Sequence, residues 1–229
     1  MKRLGFTLAE VLVTLGIIGV VAALTTPALI QNVGNAKVGP KLQKAKATFE
    51  TAAEMMLTEN NANTIRAIST DATNLGKELS KFMKITPNDT TITYLRYTGN
   101  SSYGTMPNSG IKRFDSDDGL IYYINIQAKR AVDTNNYAEI PNNVYTGVIA
   151  VDINGADGPN RIGKDLFLFA LYNDGTLRPW GAKGFYRSSE KDDKIKYWNE
   201  NENCDRDGVA DARTCAGSIF ENGMKIIYQ

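Results

Sequence analysis

The chain opens with an apolar run that has the length of a membrane-crossing helix. Residues 6–24 read FTLAEVLVTLGIIGVVAAL, and Glu10 is the one charged residue among them. About 20 helical residues cross the ~30 Å hydrocarbon core of a bilayer, so the run predicts a membrane-spanning helix. A carboxylate near the centre of such a helix costs about 2.5–3.5 kcal/mol, and less towards the interface. The position of Glu10 therefore needs a physical reason.

A second apolar pattern continues the helix beyond this run. Residues 38–56 carry apolar side chains at alternating spacings of four and three, which is the period of one helix face. This stripe consists of Val38, Leu42, Ala45, Phe49, Ala52 and Met56. We expect the four lysines between residues 37 and 46 to form a solvated face. The pattern predicts an amphipathic helix that packs on the chain's own globular domain or, alternatively, on another subunit.

Beyond residue 60 the pattern predicts a short helix and then strands. Residues 60–70 are polar and read as a loop, and residues 71–85 read as a helix with Asp71 or Thr73 at its N-cap. The later segments are rich in β-branched and aromatic residues and are separated by Asp-Gly and Asn-Gly turn signals. The predicted strands are 92–97, 111–114, 119–127, 146–154, 166–173, 176–180 and 224–228, with surface loops at 100–110 and 187–208. The pattern predicts an α+β fold, a long N-terminal helix packed on a C-terminal antiparallel β-sheet.

Composition excludes several classes of function. The net charge of +1 provides no basic field for nucleic acid, so nucleic acid is not indicated as a partner. The chain has no histidine, which removes Ser-His-Asp and Cys-His catalysis and His-ligated zinc. We identify no catalytic residues in the sequence and expect a protein that is not an enzyme.

One oxygen-rich segment has the composition of a hard-cation site. The segment VDINGADGPNRIGKDLF, residues 151–167, places acidic and amide side chains between glycines. Calcium takes six to eight oxygens from such short flexible loops. The candidate calcium ligands are Asp152, Asn154, Asp157 and Asp165, with Asn160 beside them. The spacing is not that of an EF-hand, and Asn-Gly and Asp-Gly also make turns without metal, so a plain turn between two core strands is the alternative.

The N-terminus is open to four interpretations. It reads as a secretory signal peptide with Lys2 and Arg3 as its basic region, as a plain membrane anchor, or as a buried soluble helix. Glu10 fits these three poorly, unless it lies at headgroup level at the helix N-terminus, where the dipole favours a carboxylate. The fourth interpretation accounts for more residues. The run LGFTLAEVLVTLGIIGVVAAL followed by TTPAL resembles the class III leader of type IV prepilins and type II secretion pseudopilins.

The resemblance implies a processing pathway and a role for Glu10. In that family a prepilin peptidase/methyltransferase cuts after the leader glycine, here between Gly5 and Phe6, and methylates the new N-terminal phenylalanine. The glutamate at the fifth mature position, here Glu10, places each subunit against its neighbour. An ammonium on Phe6 and the Glu10 carboxylate attract strongly in a low-dielectric bundle, and pairing between subunits would set their register. Phe6 and Glu10 are also an i, i+4 pair, so part of the neutralisation can lie within one subunit.

Two cysteines, Cys204 and Cys215, enclose ten residues near the C-terminus. In an exported domain such a pair is most simply a disulfide, whereas in a cytosolic protein it would be two free thiols. Pilins often carry a C-terminal disulfide-closed loop, which this segment resembles. The resemblance also bears on the candidate calcium site, because some pseudopilins have calcium sites in their C-terminal part.

The sequence predicts a pilin-like organisation in four parts. Residues 1–5 are the leader peptide, 6–30 the transmembrane and assembly helix, 31–59 its amphipathic continuation, and 60–229 the globular domain. The subunit is expected in the inner membrane as a single-pass protein with a periplasmic or extracellular domain. From there it joins other pilin subunits in a type IV pilus or type II secretion pseudopilus, through an inner-membrane assembly platform. The alternative is an exported, membrane-anchored binding or enzymatic domain with a carboxylate or metal site near residues 152–165.

Overall fold

The structure, a computed structural model, describes residues 7–96, 101–126, 145–182, 186–188, 195–197 and 215–224. It divides into two compact units, Met1–Lys37 and Val38–Gln229. The first helix, α1 (Leu8–Glu59), contributes to both units. The architecture is the predicted α+β, pilin-like arrangement, in which an N-terminal apolar helix is followed by a mostly antiparallel β-sheet.

The N-terminal unit is built on the first part of α1. Its segment Leu8–Thr25 has 18 residues, and none of it is buried within the protein. Large apolar side chains such as Leu12 and Ile18 are 61% and 63% exposed. By length and composition this segment can cross a membrane, a test that a signal sequence also passes.

Two short helices connect α1 to the sheet. The first, α2 (Ile65–Ile68), lies within the segment 60–70, so the prediction of a loop there is wrong. The second, α3 (Ala72–Leu79), confirms the predicted helix, although it is shorter than the sequence suggests. The sequence offers Asp71 or Thr73 as the N-cap of this helix. The structure has Asp71, whose carboxylate accepts an N–H of the first turn.

Ten strands follow α3 in the part of the chain that the structure describes. They are β1 (Ile85–Asn88), β2 (Ile92–Leu95), β3 (Ser102–Met106), β4 (Ile111–Ser116), β5 (Ile121–Ile126), β6 (Tyr145–Asp152), β7 (Leu166–Tyr172), β8 (Leu177–Pro179), β9 (Tyr186–Ser188) and β10 (Ile195–Tyr197). Strands β2 and β4 to β8 fall on predicted strands, whereas β1 is not predicted. Strand β3 lies in the segment 100–110, and β9 and β10 overlap the segment 187–208, so the prediction of loops throughout these segments is wrong. The predicted strand 224–228 lies outside the described residues apart from Met224, which is in a turn.

Six of the described strands form the main antiparallel sheet, in the order β1-β4-β5-β6-β7-β8. Strands β4 to β8 are consecutive neighbours and form the predicted meander, and β1 adds to the edge beside β4. The turn glycines Gly119 and Gly175 have φ of 82° and 87°, left-handed values that favour glycine. Every residue of β7 is buried, and since successive side chains point to opposite faces, both faces of the sheet are covered there.

The second part of α1 packs on this sheet through the predicted apolar stripe. All six residues of the stripe are buried: Val38, Leu42, Ala45, Phe49, Ala52 and Met56. The rings of Phe49 and Tyr122, on β5, lie 6.4 Å apart, and the Tyr122 hydroxyl donates to the Ala45 carbonyl at 3.4 Å. The prediction of an amphipathic helix is therefore confirmed for this part of α1.

The four lysines of α1 lie towards solvent, as predicted, since three are exposed and Lys46 is half-buried, but two of them also contact the domain. The Lys41 ammonium donates to the Ile153 carbonyl at 2.8 Å, just beyond the end of β6. Lys44 forms a 2.8 Å ion pair with Asp118 in the β4–β5 turn, although its side chain stays 63% exposed. Both lysines flank the buried stripe, and their long stems can follow the apolar surface to polar atoms at its rim.

The last described helix, α4 (Cys215–Glu221), is not predicted from the sequence. It packs on β7, where the Phe220 and Phe169 rings meet edge to face at 5.9 Å. The Gly217 N–H donates to the Trp180 carbonyl at 2.9 Å. A Cβ at Gly217 would lie 2.2 Å from backbone atoms of Gly181 and Ala182, so this close approach requires glycine.

Candidate functional site

The N-terminus of α1 is closed by a reciprocal arrangement of Thr7 and Glu10. Thr7, directly before the first helical residue, donates both its N–H and its hydroxyl to Glu10 Oε2, each at 2.8 Å. The Glu10 N–H in turn donates to Thr7 Oγ1 at 3.3 Å. This is a capping box, Thr-x-x-Glu, which satisfies N–H groups that have no carbonyl partner within the helix.

The capping box gives Glu10 a role within its own chain. A carboxylate in the first turn is stabilised by the helix dipole, which is the reason that the sequence offers for an acid at this end. Both Thr7 donors use the same carboxylate oxygen, and the Glu10 side chain is exposed. The other two residues of the predicted processing and assembly site, Gly5 and Phe6, lie outside the described residues.

The second candidate site is the connection from β6 to β7, which begins at the fully buried Asp152. The Asp152 carboxylate accepts the N–H groups of Asn154 and Gly155, each at 3.0 Å, and also accepts the Tyr94 hydroxyl. The Tyr94 hydroxyl lies 3.0 Å from that of Tyr123. Burial raises the pKa of Asp152 from 3.8 to about 6, and the hydrogen bonds from Tyr94 and the two N–H groups oppose this rise.

Asp165 closes the same connection from its other end. Its side chain is buried, and Oδ2 accepts the Arg161 N–H at 2.9 Å. Its carbonyl accepts the Ile153 N–H, also at 2.9 Å. Burial raises the pKa of Asp165, and the charge of Asp165 contributes to the raised pKa of Asp152. The two carboxylates are therefore close enough to interact, and each is occupied by backbone donors.

The structure brings together part of the predicted calcium site. Asp152 and Asp165 are buried near the two ends of the connection, whereas Asp157 is exposed between them. Across the described parts of the chain, no group of three or more Asp, Glu, His or Cys side chains lies together in a way that could hold a metal ion. Calcium binding at these residues stays a prediction.

The amide side chains of this connection have atoms that remain open to a ligand. Asn154 Nδ2 donates to the carbonyls of Asp157 and Gly158, at 2.9 and 3.1 Å. Its other side-chain atom, Oδ1, is buried and has no hydrogen-bond partner, and the same holds for Asn160 Oδ1. A buried carbonyl oxygen without a donor is costly, so these two atoms are where water or a cation would bind.

The predicted disulfide involves one described cysteine. Cys215 is fully buried at the start of α4. Cys204 lies outside the described residues, so the pairing of the two cysteines stays a prediction.

The comparison with protein families bears on the N-terminal site. A family model described as the prokaryotic N-terminal methylation motif matches residues 1–26. Residues 1–26 carry a prokaryotic N-terminal methylation motif. This motif is the class III leader of type IV pilins and pseudopilins, and it confirms the resemblance seen in the sequence. No curated protein and no solved structure matched the chain.

The methylation motif gives the capping box a context. The motif implies processing by a prepilin peptidase and pilin-type assembly, so it supports a processed, pilin-like protein. The exposed apolar segment Leu8–Thr25, which lies within the matched residues, is consistent with membrane anchoring before assembly. Thr7 and Glu10 thus lie inside the matched segment, at the start of α1.

Several residues of these sites were missed in the sequence. Thr7 had a readable signal, because Thr-x-x-Glu before an apolar run is the pattern of a capping box. Tyr94 and Lys41 had none, since each meets the β6–β7 connection from a distant part of the chain. Only the folded structure brings the three segments together.

Proposed function

We propose that the chain is a structural, non-enzymatic subunit of a type IV pilus or type II secretion pseudopilus. A prepilin peptidase cuts the chain after Gly5 and methylates Phe6, and the subunit then leaves the inner membrane to join a filament through α1. The observation that carries this proposal is the methylation motif at residues 1–26. The exposed apolar segment of membrane length that lies within the motif supports the same function.

In this function Glu10 acts twice. Cleavage after Gly5 makes Thr7 the second residue of the mature chain, so the capping box closes a helix that begins almost at the new N-terminus. Oε2 of Glu10 serves that box, since both bonds from Thr7 go to it. We assign Oε1 to the methylated ammonium of Phe6 on a neighbouring subunit.

The ammonium pairing also explains why an acid is kept in an apolar helix. Opposite charges attract more strongly in a low-dielectric bundle than in water, and each charge is costly there without a partner. A single polar pair among apolar contacts fixes the register between helices, as a buried polar residue does in a coiled coil. Glu10 then drives assembly, while folding of the rest of the chain does not depend on it.

The processing step is tested by mass spectrometry of the native protein. We expect the polypeptide to begin at Phe6 and to carry one added methyl group on its α-amine. Recovery of the native chain with Met1 to Gly5 still attached would contradict the proposal.

The role of Glu10 is tested by three variants that separate its charge from its capping bond. Glu10→Gln keeps an acceptor for the Thr7 N–H but has no charge, Glu10→Ala removes both, and Thr7→Val removes the hydroxyl and leaves the charge. We expect the yield of sheared filaments to fall strongly in both Glu10 variants and much less in Thr7→Val. If Glu10→Gln assembles as well as wild type, the ammonium pairing is wrong and the capping bond is the reason for the acid.

A further inference from the structure

The apolar stripe of α1 specifies its position along the sheet only weakly. Its smaller residues (Val38, Ala45, Ala52) and its larger residues (Leu42, Phe49, Met56) each recur every seven positions, and all six are buried. If α1 were shifted along the sheet by one such repeat, Ala45 would take the place of Val38. At the first four sites a smaller residue would then replace a smaller one, and a larger residue would replace a larger one. The last two sites would receive Glu59 and Asn63, and Lys46 would take the place of the buried Gly39, where a Cβ lies 2.0 Å from the Met224 carbonyl oxygen. The shift is therefore opposed at Gly39 and at the last two stripe sites, but not at the first four stripe sites.

Two polar side chains of α1 bind backbone atoms of the sheet and its connections. The Lys41 ammonium donates to the Ile153 carbonyl at 2.8 Å, where β6 ends. Oε1 of Glu50 accepts the Leu177 N–H at 2.8 Å, and the Lys46 ammonium donates to both oxygens of Glu50, at 2.7 and 2.6 Å. Leu177 begins β8, which is an edge strand among the described residues, so its outward N–H has no described neighbouring strand to bind. We call Lys41 and Glu50 the polar anchors of α1.

We propose that the polar anchors are positioning residues that fix where α1 lies along the sheet and how it is rotated. They are nine residues apart, about 13 Å along the helix axis, and they bind different parts of the domain. In the shifted helix Thr48 would replace Lys41 and Leu57 would replace Glu50. Threonine is too short to reach the Ile153 carbonyl, and leucine leaves the Leu177 N–H without an acceptor. The anchors therefore discriminate where the stripe does not, as isolated polar groups do in coiled coils.

The position of α1 on its sheet matters beyond the stability of one subunit. The same helix carries both the domain and, on the proposed function, the residues that assemble the filament. Subunits whose domains lie at different positions on α1 cannot repeat regularly along a filament. The anchors are then needed for assembly even where their loss leaves the domain folded.

The ion pair between Lys44 and Asp118 offers a direct readout of the position of α1. A carbodiimide activates the Asp118 carboxyl group, and the Lys44 amine, 2.8 Å away, displaces the activating group to form an amide. In a helix shifted by one repeat, Thr51 or Lys37 takes the place of Lys44, so the cross-link is lost or moves to Lys37. The experiment uses the full chain in detergent micelles and reads the cross-linked peptides by mass spectrometry.

We expect the double variant Lys41→Met/Glu50→Ala to lower the Lys44–Asp118 cross-link by about twofold or more, since two charge-assisted hydrogen bonds are removed. Lys41→Arg and Glu50→Gln keep a donor and an acceptor and should retain it. Glu54→Ala is the matched control, because it removes an exposed acid from the same helix. If the double variant does not fold, the two single variants replace it. Folded anchor variants with wild-type cross-linking would overturn the proposal.

The consequence for assembly is measured separately, as the yield of sheared filaments. We expect the anchor variants to lower this yield and Glu54→Ala to leave it unchanged. If the wild-type chain forms no filaments, the proposed function is wrong, but the cross-linking result on the position of α1 is unaffected. Anchor variants with altered cross-linking but a normal filament yield would show that the position of α1 on its sheet does not govern assembly.

Discussion

Replacing Asp152 by asparagine should remove a pH dependence from the stability of the domain. Asp152 is fully buried, and its pKa in the folded protein is about 6, above its ordinary value of 3.8. A group whose folded pKa is raised stabilises the fold below its unfolded pKa, and that contribution is lost as pH rises through the folded pKa. For Asp152 the loss runs from about pH 4 to just above pH 6.

The size of this effect follows from the pKa difference. One pKa unit corresponds to about 1.4 kcal/mol, so a rise from 3.8 to about 6 is worth about 3 kcal/mol of unfolding free energy. Asparagine keeps an oxygen for the N–H groups of Asn154 and Gly155 and carries no charge at any pH. The free energy of unfolding of wild type should therefore fall by about 3 kcal/mol relative to Asp152→Asn between pH 3 and pH 7. Other titrating groups, Asp165 among them, are present in both proteins and cancel to first order in the difference.

The assay is chemical unfolding of the full chain in detergent micelles, followed by the fluorescence of the buried Trp180 at several pH values. Asp157→Asn is the matched control, because it removes an exposed carboxylate from the same connection. The unfolding free energy of this control should change with pH in the same way as that of wild type. If the unfolding free energy of Asp152→Asn also changes with pH as that of wild type does, burial does not raise the pKa of Asp152 and the reasoning is wrong.

Three further predictions concern the rest of the domain. Asp71→Ala should lower the unfolding free energy by about 1 kcal/mol in the same assay, because it removes the N-cap of α3. Gly76→Ala should destabilise by about 1–3 kcal/mol despite the better helix propensity of alanine, since its Cβ would lie 1.8 Å from the buried Phe114 ring. Cys204 and Cys215 should resist alkylation in the unreduced protein and react after reduction; labelling without reductant would contradict the predicted disulfide.

Local pattern was enough to predict the elements that have a period or a strong signal. The stripe of α1 spans several turns of helix, and Asp71 precedes α3 with a recognisable cap, so both were found. The meander strands β4 to β8 were found because turn residues separate them. Strands such as β3, SYGTM, and the helix α4, CAGSIFE, are too short to display a period, and their packing partners decide their structure.

The candidate sites depend on contacts that no local pattern contains. Lys41 reads as one of several lysines on a polar face, and its bond to the Ile153 carbonyl joins positions 112 residues apart. Tyr94 reaches Asp152 across 58 residues. The methylation motif was readable because its chemistry requires a contiguous sequence for one peptidase, whereas a folded site requires only proximity.

The acid-rich connection between β6 and β7 shows how composition and geometry can point to different chemistry. Its residue types suit calcium, but a cation and an N–H donor compete for the same oxygen lone pairs. Both oxygens of Asp152 and Oδ2 of Asp165 already accept hydrogen bonds from the protein. We therefore expect millimolar calcium to leave the thermal midpoint of the full chain where it is in the presence of EDTA. Calcium would raise the thermal midpoint only if it bound Asn154 Oδ1 and Asn160 Oδ1, which are buried without a hydrogen-bond partner. If calcium raises the midpoint of wild type but not that of Asn154→Ala, the amide oxygens hold the ion, and the hydrogen bonds of the two carboxylates describe only the calcium-free protein.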